Sequence, residues 1–365
     1  MLLDEICIIN MGQSPESDTY NEDCIGVPFF QGNADFGEIY PRKRVWCSNP
    51  TKIAQARDIL ISVRAPIGAM NIADCKCCIG RGLAALTIKS TDFDVKYVWY
   101  ALKAKVGDLI SQGTGSTFKA INKKILANTE IIIPSVEEQK AIAEKLDKVS
   151  ILIEKRKQQL SLLDTIVKSK FVEMFGQENR EDALINLCQF IDYRGKTPNK
   201  TDSGLPFITA KNIKMHYMSF DVQEYISKDT YDKVMTRGFP KEGDVVFTTE
   251  APLGNVCRIP HIDTEFYIGQ RIITMQTTVL EPAYLEYALS SDAFKKKLAE
   301  KSSGSTVTGI RSKLLEKLTI PIPDREKQKQ FAQFIERTEQ LKAKIKQSLA
   351  AFELLKKSLM KKYFG

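Results

Sequence analysis

Histidine is nearly absent from this chain, and so are the signature motifs of common enzymes. Only two histidines occur in 365 residues, and neither lies in a His-Glu-x-x-His sequence. Gly195-Lys196-Thr197 lacks the glycine that a nucleotide-binding loop carries five residues earlier, because Phe190 stands there. No Gly-x-Ser-x-Gly, Asn-Pro-Pro-Tyr or Asp-Pro-Pro-Tyr sequence is present either. These absences predict a protein without catalytic residues of its own.

Long hydrophobic runs are missing as well. No stretch approaches the roughly 18 consecutive apolar residues of a membrane helix, and hydrophobic residues make up 43% of the chain, as in ordinary globular proteins. The first residues, Met1-Leu2-Leu3-Asp4-Glu5, place acidic side chains where a secretory signal would be basic. We therefore expect a soluble, cytoplasmic protein that makes no membrane contact.

The globular parts of the chain also lack an excess of positive charge. The formal net charge is +8, but residues 324–365 alone hold 11 basic and 5 acidic side chains. Residues 1–135 hold 15 basic and 14 acidic side chains, and residues 177–323 hold 19 of each. Nucleic-acid binding by these parts would therefore require local clustering of cations.

What the chain does contain is a repeat of itself. Residues 115–176 and 304–365 align without a gap at an offset of 189, and 22 of the 62 aligned positions are identical. Pro134 matches Pro323 in this register, and Gln139 matches Gln328. The units of solenoid proteins are only about 20–50 residues long. The sequence therefore predicts a duplicated domain with two equivalent sites.

The eight cysteines do not follow this repeat. Six lie in the first copy without counterparts in the second, which argues against a disulfide framework. Cys75-Lys76-Cys77-Cys78 lacks the two-residue spacing of a zinc knuckle and has no histidine nearby. We predict reduced thiols in a strand rather than a metal site, and no cofactor.

Each copy changes character once along its length. Short β-rich runs, such as Asp58–Val63 and Asp244–Thr249, alternate with turns and with helical stretches at 96–110 and 282–301. Stretches without Gly or Pro follow at 136–174 and 325–363, and each predicts a helix about 60 Å long at 1.5 Å per residue. We predict an α+β fold with mixed α/β domains at 1–134 and 181–323, a central helix within 135–180 and a C-terminal helix within 324–365.

The long helices carry apolar residues at steps of three and four, which is typical of helices that pack on each other. Polar breaks in the first, Arg156 and Lys170, align with Ile345 and Leu359 in the second. In the alternative, each helix packs only on its own domain. A 60 Å apolar stripe is longer than the face of such a domain, so we favour mutual packing. The predicted packing residues are Ile142, Leu146, Val149, Ile153, Leu160, Leu163, Val167, Phe331, Ile335, Ile345, Leu349, Phe352 and Leu359.

Further matches lie outside the ungapped block. Gly12–Pro15 pairs with Gly195–Pro198, and Ala65-Pro66-Ile67-Gly68 pairs with Ala251-Pro252-Leu253-Gly254, whereas the polar residues between such matches differ. In these motifs, and in the Pro134 to Gln139 boundary that recurs at Pro323, the chain resembles the specificity subunit of type I restriction-modification systems. The resemblance covers essentially all 365 residues.

The resemblance implies that each α+β part is a target recognition domain for one half of a bipartite, nonpalindromic DNA sequence. It implies that the long helices pack as an antiparallel coiled coil that sets the distance between the half-sites. It also implies a non-catalytic subunit that binds double-stranded DNA together with two adenine-methyltransferase subunits, and with restriction and translocation subunits in the full complex. The alternative is a helical adaptor that recruits proteins without binding DNA.

Polar residues in loops that differ between the copies are the candidates for DNA contact. Side chains that reach base edges specify a sequence, while Lys and Arg on phosphates fix position. The first domain offers Gln31, Asn33, Arg64, Arg81 and Lys119, with Arg42, Lys43 and Arg44 for phosphates. The second offers Lys196, Lys211, Asn212, Lys214, Arg271 and Arg311, with Lys200 and Arg258 in addition. For each of them, a solvated surface residue is the alternative.

Two glycine-rich loops recur unchanged in both copies. They are Gly115-Ser116-Thr117 and Gly304-Ser305-Thr306. Because they do not differ, they suit the shared framework or a phosphate better than a specific base, and small residues that expose backbone N–H groups suit phosphate.

Overall fold

A computed structural model describes residues 1–115, 119–302 and 309–365 and divides the chain into two compact units. Unit 1 comprises residues 1–157 and 346–365, and unit 2 comprises residues 158–345. Ser116, Thr117 and the whole of Gly304-Ser305-Thr306 lie outside the described residues, and so does the role predicted for these loops.

Unit 1 contains an α+β body. Its short helices are α1 (Leu3–Ile6), α2 (Val95–Ala104), α3 (Val106–Gln112) and α4 (Lys123–Ala127). Its strands are β1 (Cys7–Met11), β2 (Tyr20–Asn21), β3 (Val27–Phe30), β4 (Trp46–Cys47), β5 (Ile53–Ala54), β6 (Ile59–Ser62), β7 (Met70–Ile72), β8 (Cys77–Ile79) and β9 (Leu83–Ile88). The long helix α5 (Val136–Phe175) follows and contributes its first part to this unit.

The strands of unit 1 form two sheets. One is antiparallel in the order β1-β9-β6-β7, and its central strand β6 is buried along its whole length. The other has the order β2-β4-β3-β8-β5, and its strands β3 and β8 are parallel, with Phe30 opposite Ile79. The chain therefore leaves β3 and β8 at the same edge, where the loops at residues 31 and 80 begin.

Unit 2 repeats this plan with some additions. Its strands are β10 (Glu181–Ala183), β11 (Gln189–Asp192), β12 (Leu205–Ile208), β13 (Ile213–Lys214), β14 (Tyr217–Met218), β15 (Tyr225–Ile226), β16 (Val245–Thr248), β17 (Val256–Arg258), β18 (Tyr267–Ile268), β19 (Ile272–Gln276) and β20 (Thr319–Pro321). Its short helices are α6 (Leu184–Leu187), α7 (Lys228–Val234), α8 (Pro282–Ser290), α9 (Asp292–Lys301) and α10 (Ser312–Leu315). Helix α11 (Arg325–Phe364) closes the chain and contributes to both units.

Two features of the unit 1 sheets recur in unit 2: the four-stranded antiparallel sheet and the parallel strand pair. The antiparallel sheet has the order β11-β19-β16-β17, and β12 and β18 are parallel, with Ile208 opposite Ile268. The hairpin β13–β14 and the pair β10–β20 are separate two-stranded sheets. The mixed α/β composition confirms the predicted α+β class.

The helical stretches predicted at 96–110 and 282–301 are each divided in two. Lys105 separates α2 from α3, and Ser291 separates α8 from α9. Ser291 has an extended backbone, and its side chain accepts a hydrogen bond from Phe294 N, which is the role of a helix N-cap. The helical stretch predicted at 282–301 is therefore present as two helices, because Ser291 starts a new helix within it.

In unit 1, the first part of α5 and the last part of α11 pack on the α+β body. Leu146 and Phe364 belong to the same buried core as Trp99 of α2, with Leu359 packed against it. Arg156 Nε donates to Ser348 Oγ at 3.1 Å, so the polar break at Arg156 has a partner on the other long helix. The packing residues predicted in this unit, including Ile142, Val149, Ile153, Leu349 and Phe352, are buried or half-buried.

In unit 2, the remaining parts of α5 and α11 pack in the same manner. Phe331 is fully buried, and its ring centroid lies 5.4 Å from Phe175 of α5 and 5.4 Å from Tyr287 of α8. Lys342 of α11 is paired with Asp164 of α5. Val167, Ile335 and Ile345 are buried, while Leu160 and Leu163 are half-buried. Each unit therefore shows both arrangements that the sequence left open: the long helices contact each other, and they also pack on the domain.

A buried glutamine fixes the start of each long helix. Gln139 Oε1 accepts from Asp94 N at 2.9 Å, at the N-cap of α2, and its Nε2 donates to Pro134 O at 3.0 Å. Gln328 Oε1 likewise accepts from Glu281 N at 2.9 Å, at the N-cap of α8, and donates to Pro323 O at 2.8 Å. Both side chains satisfy backbone groups that burial would otherwise leave unpaired.

Two further sequence predictions concern the cysteines and the absence of long apolar helices. Cys77 and Cys78 lie in β8, and burial raises the pKa of Cys77. No group of three or more His, Cys, Asp and Glu side chains in residues 1–115, 119–302 and 309–365 could hold a metal ion. Within the same ranges, no helix is both long enough and apolar enough to cross a membrane.

Replacing Gln328 with leucine should loosen the junction between α8 and α11. The substitution leaves the Glu281 N–H and the Pro323 carbonyl unpaired, and each unsatisfied buried group costs about 1–3 kcal/mol. Hydrogen exchange followed by mass spectrometry should show faster exchange in α8, with a lower urea midpoint. Gln330→Leu, two residues along on the exposed face of the same helix, is the control. Equal protection in both variants would contradict the role assigned to Gln328.

Candidate nucleic-acid interface

Three segments of unit 1 are joined by backbone hydrogen bonds at one edge of the domain. Val63 N donates to Gly82 O at 2.9 Å, and Ile121 N donates to Val63 O at 2.9 Å. Arg64 also forms a β-bridge with Ala120. We call these hydrogen-bonded segments the backbone frame. Arg64, Arg81 and Lys119 lie in the frame or within two residues of it, and their side chains are exposed, so the structure brings three predicted contact residues together.

Unit 2 has the same frame with different side chains. Thr249 N donates to Arg271 O at 2.9 Å, and Ile310 N donates to Thr249 O at 3.0 Å. A cis Ala-Pro peptide follows the frame in both units, at Ala65-Pro66 and Ala251-Pro252. Glu250 therefore stands where unit 1 has Arg64, and Arg271 stands where unit 1 has Gly82. The backbone is shared while the charges it presents are not.

A loop beside this frame is anchored in each unit by one buried side chain. In unit 1, Asp35 Oδ2 accepts from Gln31 N at 3.0 Å, and the same carboxylate is paired with Arg44. In unit 2, Asn212 Oδ1 accepts from Thr209 N at 2.9 Å. Gln31 remains exposed, and its Cα lies against Gly80, next to Arg81.

Asn212 is not available as a base reader in this structure. Its side chain is only 2% exposed, and its Nδ2 donates to Ser219 O at 2.9 Å and to Val222 O at 2.7 Å. All of its hydrogen-bonding capacity is used to hold the loop, as Asp35 does in unit 1. The exposed neighbour Lys211 remains a candidate.

Four of the predicted cations of unit 2 line one pocket. The pocket has a volume of about 250 Å³, and its walls include Lys196, Lys200, Lys211 and Arg271. Lys196 is held by its backbone, because Tyr267 donates its hydroxyl to Lys196 O at 2.8 Å. These side chains come from three separate loops, so the fold concentrates positive charge that the sequence spreads over 76 positions.

Several predicted cations have a carboxylate partner. Lys200 Nζ lies 2.8 Å from Glu224 Oε2, and Arg271 Nε lies 3.5 Å from Glu250 Oε2. Lys43 Nζ lies 2.7 Å from Asp74, and this hydrogen bond raises the pKa of Lys43. In contrast, Arg64, Arg81, Lys119, Lys196 and Lys211 have no ion pair among the described residues. An incoming anion meets the least competition at these five.

Arg258 is half-buried and takes part in an ion-pair network of unit 2. Its Nε lies 2.6 Å from Glu286, which is 1% exposed, and its other end is paired with Glu339 of α11. His216 completes the network, with Nδ1 2.8 Å from Glu286 and its ring stacked on Tyr287. The buried carboxylate of Glu286 holds the Arg258 guanidinium in place, so the DNA contact predicted for Arg258 would have to compete with this network.

The remaining predicted residues lie apart from the two frames. Asn33 and Arg42 are exposed on the loop that Asp35 anchors, with Arg42 N donating to Asp35 O at 2.7 Å. Lys214 is half-buried on the β13–β14 hairpin, opposite Tyr217, and does not line the pocket. Arg311 is exposed immediately before α10, next to the frame residue Ile310.

Sequence reasoning missed Gln270 and Thr197, which also line the pocket of unit 2. The signal for Gln270 was present, because Ile79-Gly80-Arg81 matches Ile268-Gly269-Gln270 and places Gln270 opposite Arg81 in the repeat. Thr197 adjoins Lys196 in the Gly195–Pro198 motif, which recurs at Gly12–Pro15.

The fold and these surfaces define a class of α+β proteins that carry differing polar loops on one repeated backbone frame. The chain belongs to the family described as the type I restriction modification DNA specificity domain, whose model matches residues 1–162 and 184–351. This finding confirms the family to which the sequence motifs pointed.

The chain is also similar to individual proteins of this family. A putative type I restriction enzyme specificity subunit of Methanocaldococcus jannaschii is 48% identical over 151 residues, which cover 41% of this chain and about a third, 36%, of the relative. The MjaVIII specificity subunit of the same organism is 24% identical over 76% of this chain and 71% of its own length. A crystal structure of a type I system S subunit from M. genitalium, 16% identical, matches 100% of this chain and 95% of its own, with a TM-score of 0.64. That structure supports the fold.

Neighbouring substitutions should separate the two roles seen in the loop at residue 211. Asn212→Ala leaves Thr209 N, Ser219 O and Val222 O without their partner and should cost unit 2 about 2 kcal/mol or more. Lys211→Ala alters an exposed side chain and should stay within about 0.5 kcal/mol of the wild type. Urea unfolding monitored by circular dichroism measures both. A larger loss in the lysine variant would reverse the assignment.

Proposed function

We propose that this chain is the DNA sequence-recognition subunit of a type I restriction-modification complex and that each unit reads one half of a bipartite, nonpalindromic site. The observation that carries the proposal is the pair of hydrogen-bonded frames, at Val63 and at Thr249, which present different side chains from equivalent backbone positions. One scaffold used twice with different readers suits a site whose two halves differ.

The side chains on the frames suit base recognition. Arginine can bond both acceptors of guanine in the major groove, and glutamine can bond adenine in the same bidentate manner. Arg81 and Gln31 lie side by side in unit 1, and Arg271 and Gln270 lie side by side in unit 2. The unpaired Arg64, Lys119, Lys196 and Lys211 then serve as phosphate or base contacts around these pairs.

The long helices suit a spacer. Each is 40 residues long, or about 60 Å. In unit 2 Asp164 is paired with Lys342 and Phe175 packs on Phe331, so residue numbers fall along α11 as they rise along α5. These contacts support an antiparallel coiled coil that keeps the half-sites at a set distance, as dimer geometry does in other DNA-binding proteins.

The chain itself is proposed to be non-catalytic. Among the described residues, the buried titratable cluster of His216, Glu286 and Arg258 is closed by ion pairs and packing, and no metal site accompanies it. Methylation and cleavage are therefore assigned to partners: two adenine-methyltransferase subunits and, in the full complex, restriction subunits acting in the cytoplasm.

Selection from random duplexes tests recognition directly. The purified chain, alone and with its methyltransferase subunits, should enrich DNA with two short fixed segments separated by a fixed gap. Binding should weaken linearly in log–log form as salt rises, because cations on phosphates release counterions. Enrichment of no sequence, together with no salt dependence, would favour the helical adaptor instead.

Arg81 provides a sharper test within one half-site. Both Arg81→Ala and Arg81→Lys should relax the preference at one base pair by about 1–3 kcal/mol, because lysine keeps the charge but loses the bidentate fork. Competition binding with single-base variants of the selected duplex measures this change. Lys145→Ala, on an exposed position of α5, is the control. A lysine variant that behaves as the wild type would make Arg81 a phosphate contact.

Exchanging residues 1–134 for the recognition domain of another family member should change one half-site and leave the other half-site and the gap intact. The reason is that the α+β body of unit 2, from residue 181 to residue 321, is unchanged by the exchange. Mapping of methylated adenines in cells that express the hybrid with its methyltransferase gives the result. A change in both half-sites would contradict modular reading.

A further inference from the structure

A groove of about 610 Å³ in unit 1 lies between the end of α2 and the last turns of α11. Its apolar wall is formed by Ile153, Met360 and Phe364. Its charged lining consists of Lys103, Lys157, Lys356, Lys357, Lys361 and Glu353. We call it the lysine groove. It is remote in sequence from the frame at Val63, and no candidate DNA-contact residue lines it.

Positive charge in the lysine groove is only partly balanced. Lys157 Nζ lies 3.9 Å from Glu353. Lys103, Lys357 and Lys361 have no ion pair among the described residues, and Lys103 Nζ lies 3.5 Å from the centroid of the Trp99 ring instead. The other carboxylates that act on these lysines are Glu38, before β4, and Asp147 of α5.

The surroundings of two of these lysines, Lys103 and Lys356, lower the pKa of their side chains. Burial, and then repulsion from Lys356, lowers the pKa of Lys103 to about 8, although Glu38 acts in the opposite direction. Burial also lowers the pKa of Lys356, with repulsion from Lys157 adding to it and attraction to Glu38 and Asp147 opposing it. An anion between them would relieve both effects.

The corresponding groove of unit 2 shows that packing does not require the lysines. Phe175 packs on Tyr284 there with ring centroids 4.8 Å apart, as Phe364 packs on Tyr97 in unit 1 at 5.3 Å. In the repeat, Val167 and Val172 stand at the positions of Lys356 and Lys361, while Lys168 matches Lys357. The cluster of cations is therefore particular to unit 1.

We propose that the lysine groove binds a multiply charged phosphate, such as a di- or triphosphate group, between α2 and α11. Lysine supplies compact point charges that serve phosphate well, whereas paired carboxylates are matched better by the planar fork of arginine, which the groove lacks. Five lysines against one lining carboxylate call for a ligand of several charges. The apolar wall at Met360 and Phe364 leaves room for an organic group attached to the phosphate.

Titration calorimetry of the full chain with sodium tripolyphosphate, at constant ionic strength and pH 7, tests the site. The Lys103→Gln/Lys356→Gln variant should lose at least about tenfold in affinity, since two of the cations that face the ligand are removed. Lys145→Gln/Lys148→Gln makes the same change in net charge at exposed positions of α5 outside the groove and should bind as the wild type does. Melting curves should show that both variants are folded.

The pH dependence provides a second readout. Lys103 is charged below its pKa of about 8 and loses its proton as the pH rises through that value, so affinity should fall between pH 7 and pH 9. The phosphate gains negative charge over the same range, so the ligand cannot cause this fall. Lys103→Gln should bind more weakly than the wild type at pH 7 and lack the fall.

Three results would overturn the proposal. Equal loss in the groove variant and the control variant would mean general attraction to a basic helix. Tighter binding of a hexaglutamate peptide or citrate than of tripolyphosphate would make the ligand a carboxylate. A loss of affinity for duplex DNA as large as that for tripolyphosphate would make the groove part of the DNA-binding surface, since a phosphodiester offers the same oxyanion.

Discussion

The buried glutamine at the start of each long helix is the contact on which the other features depend. Gln139 and Gln328 each join the N-cap of a domain helix to the proline that precedes a 40-residue helix. A buried amide with all its bonds made permits one orientation of helix on domain, because any other orientation leaves backbone groups unpaired. The aromatic contacts of Phe331 and Phe364 then fill the space beneath the helices. A variable loop on the domain thereby acquires a defined position relative to the helix.

The loops are also held by hydrogen bonds to backbone groups. Each frame consists of backbone hydrogen bonds, which do not depend on side-chain identity, and so Arg64 and Glu250 can occupy equivalent places without disturbing the fold. Anchoring requires one buried polar side chain in each unit, Asp35 or Asn212, whose partners include backbone groups. A protein built in this way can change the side chains that its loops present by changing exposed residues alone. The lysine groove follows the same logic, because Tyr284 and Phe175 pack in unit 2 without its cations.

Sequence reasoning reached the α+β class, the two long helices and the family, since these depend on periodicity and repetition that extend over tens of residues. It also placed Lys196, Lys211 and Arg271 among the candidate contacts, and the structure gathers these three around one pocket. Sequence reasoning does not reveal which polar residues are held by partners. Asn212 and Arg258 are polar residues near variable loops, and only the structure shows that Asn212 is buried and that Arg258 is paired with a buried carboxylate. Ser291 divides the helical stretch predicted at 282–301, because its side chain caps the start of a second helix there.

The sequence by itself predicted that one domain plan is used twice, where each copy turns from α+β body to long helix, and which segments differ between the copies. These are properties of order along the chain, and matches between the copies, at an offset of 189 over residues 115–176, are enough to predict them. Only the tertiary structure decided which polar side chains are exposed near a frame and which form the buried hydrogen bonds that hold the loops beside it. It also decided that lysines from α2, α5 and α11 share one groove. The physical reason is that charge and hydrogen bonding act over a few ångströms, between residues whose separation in sequence carries no information about their distance in space.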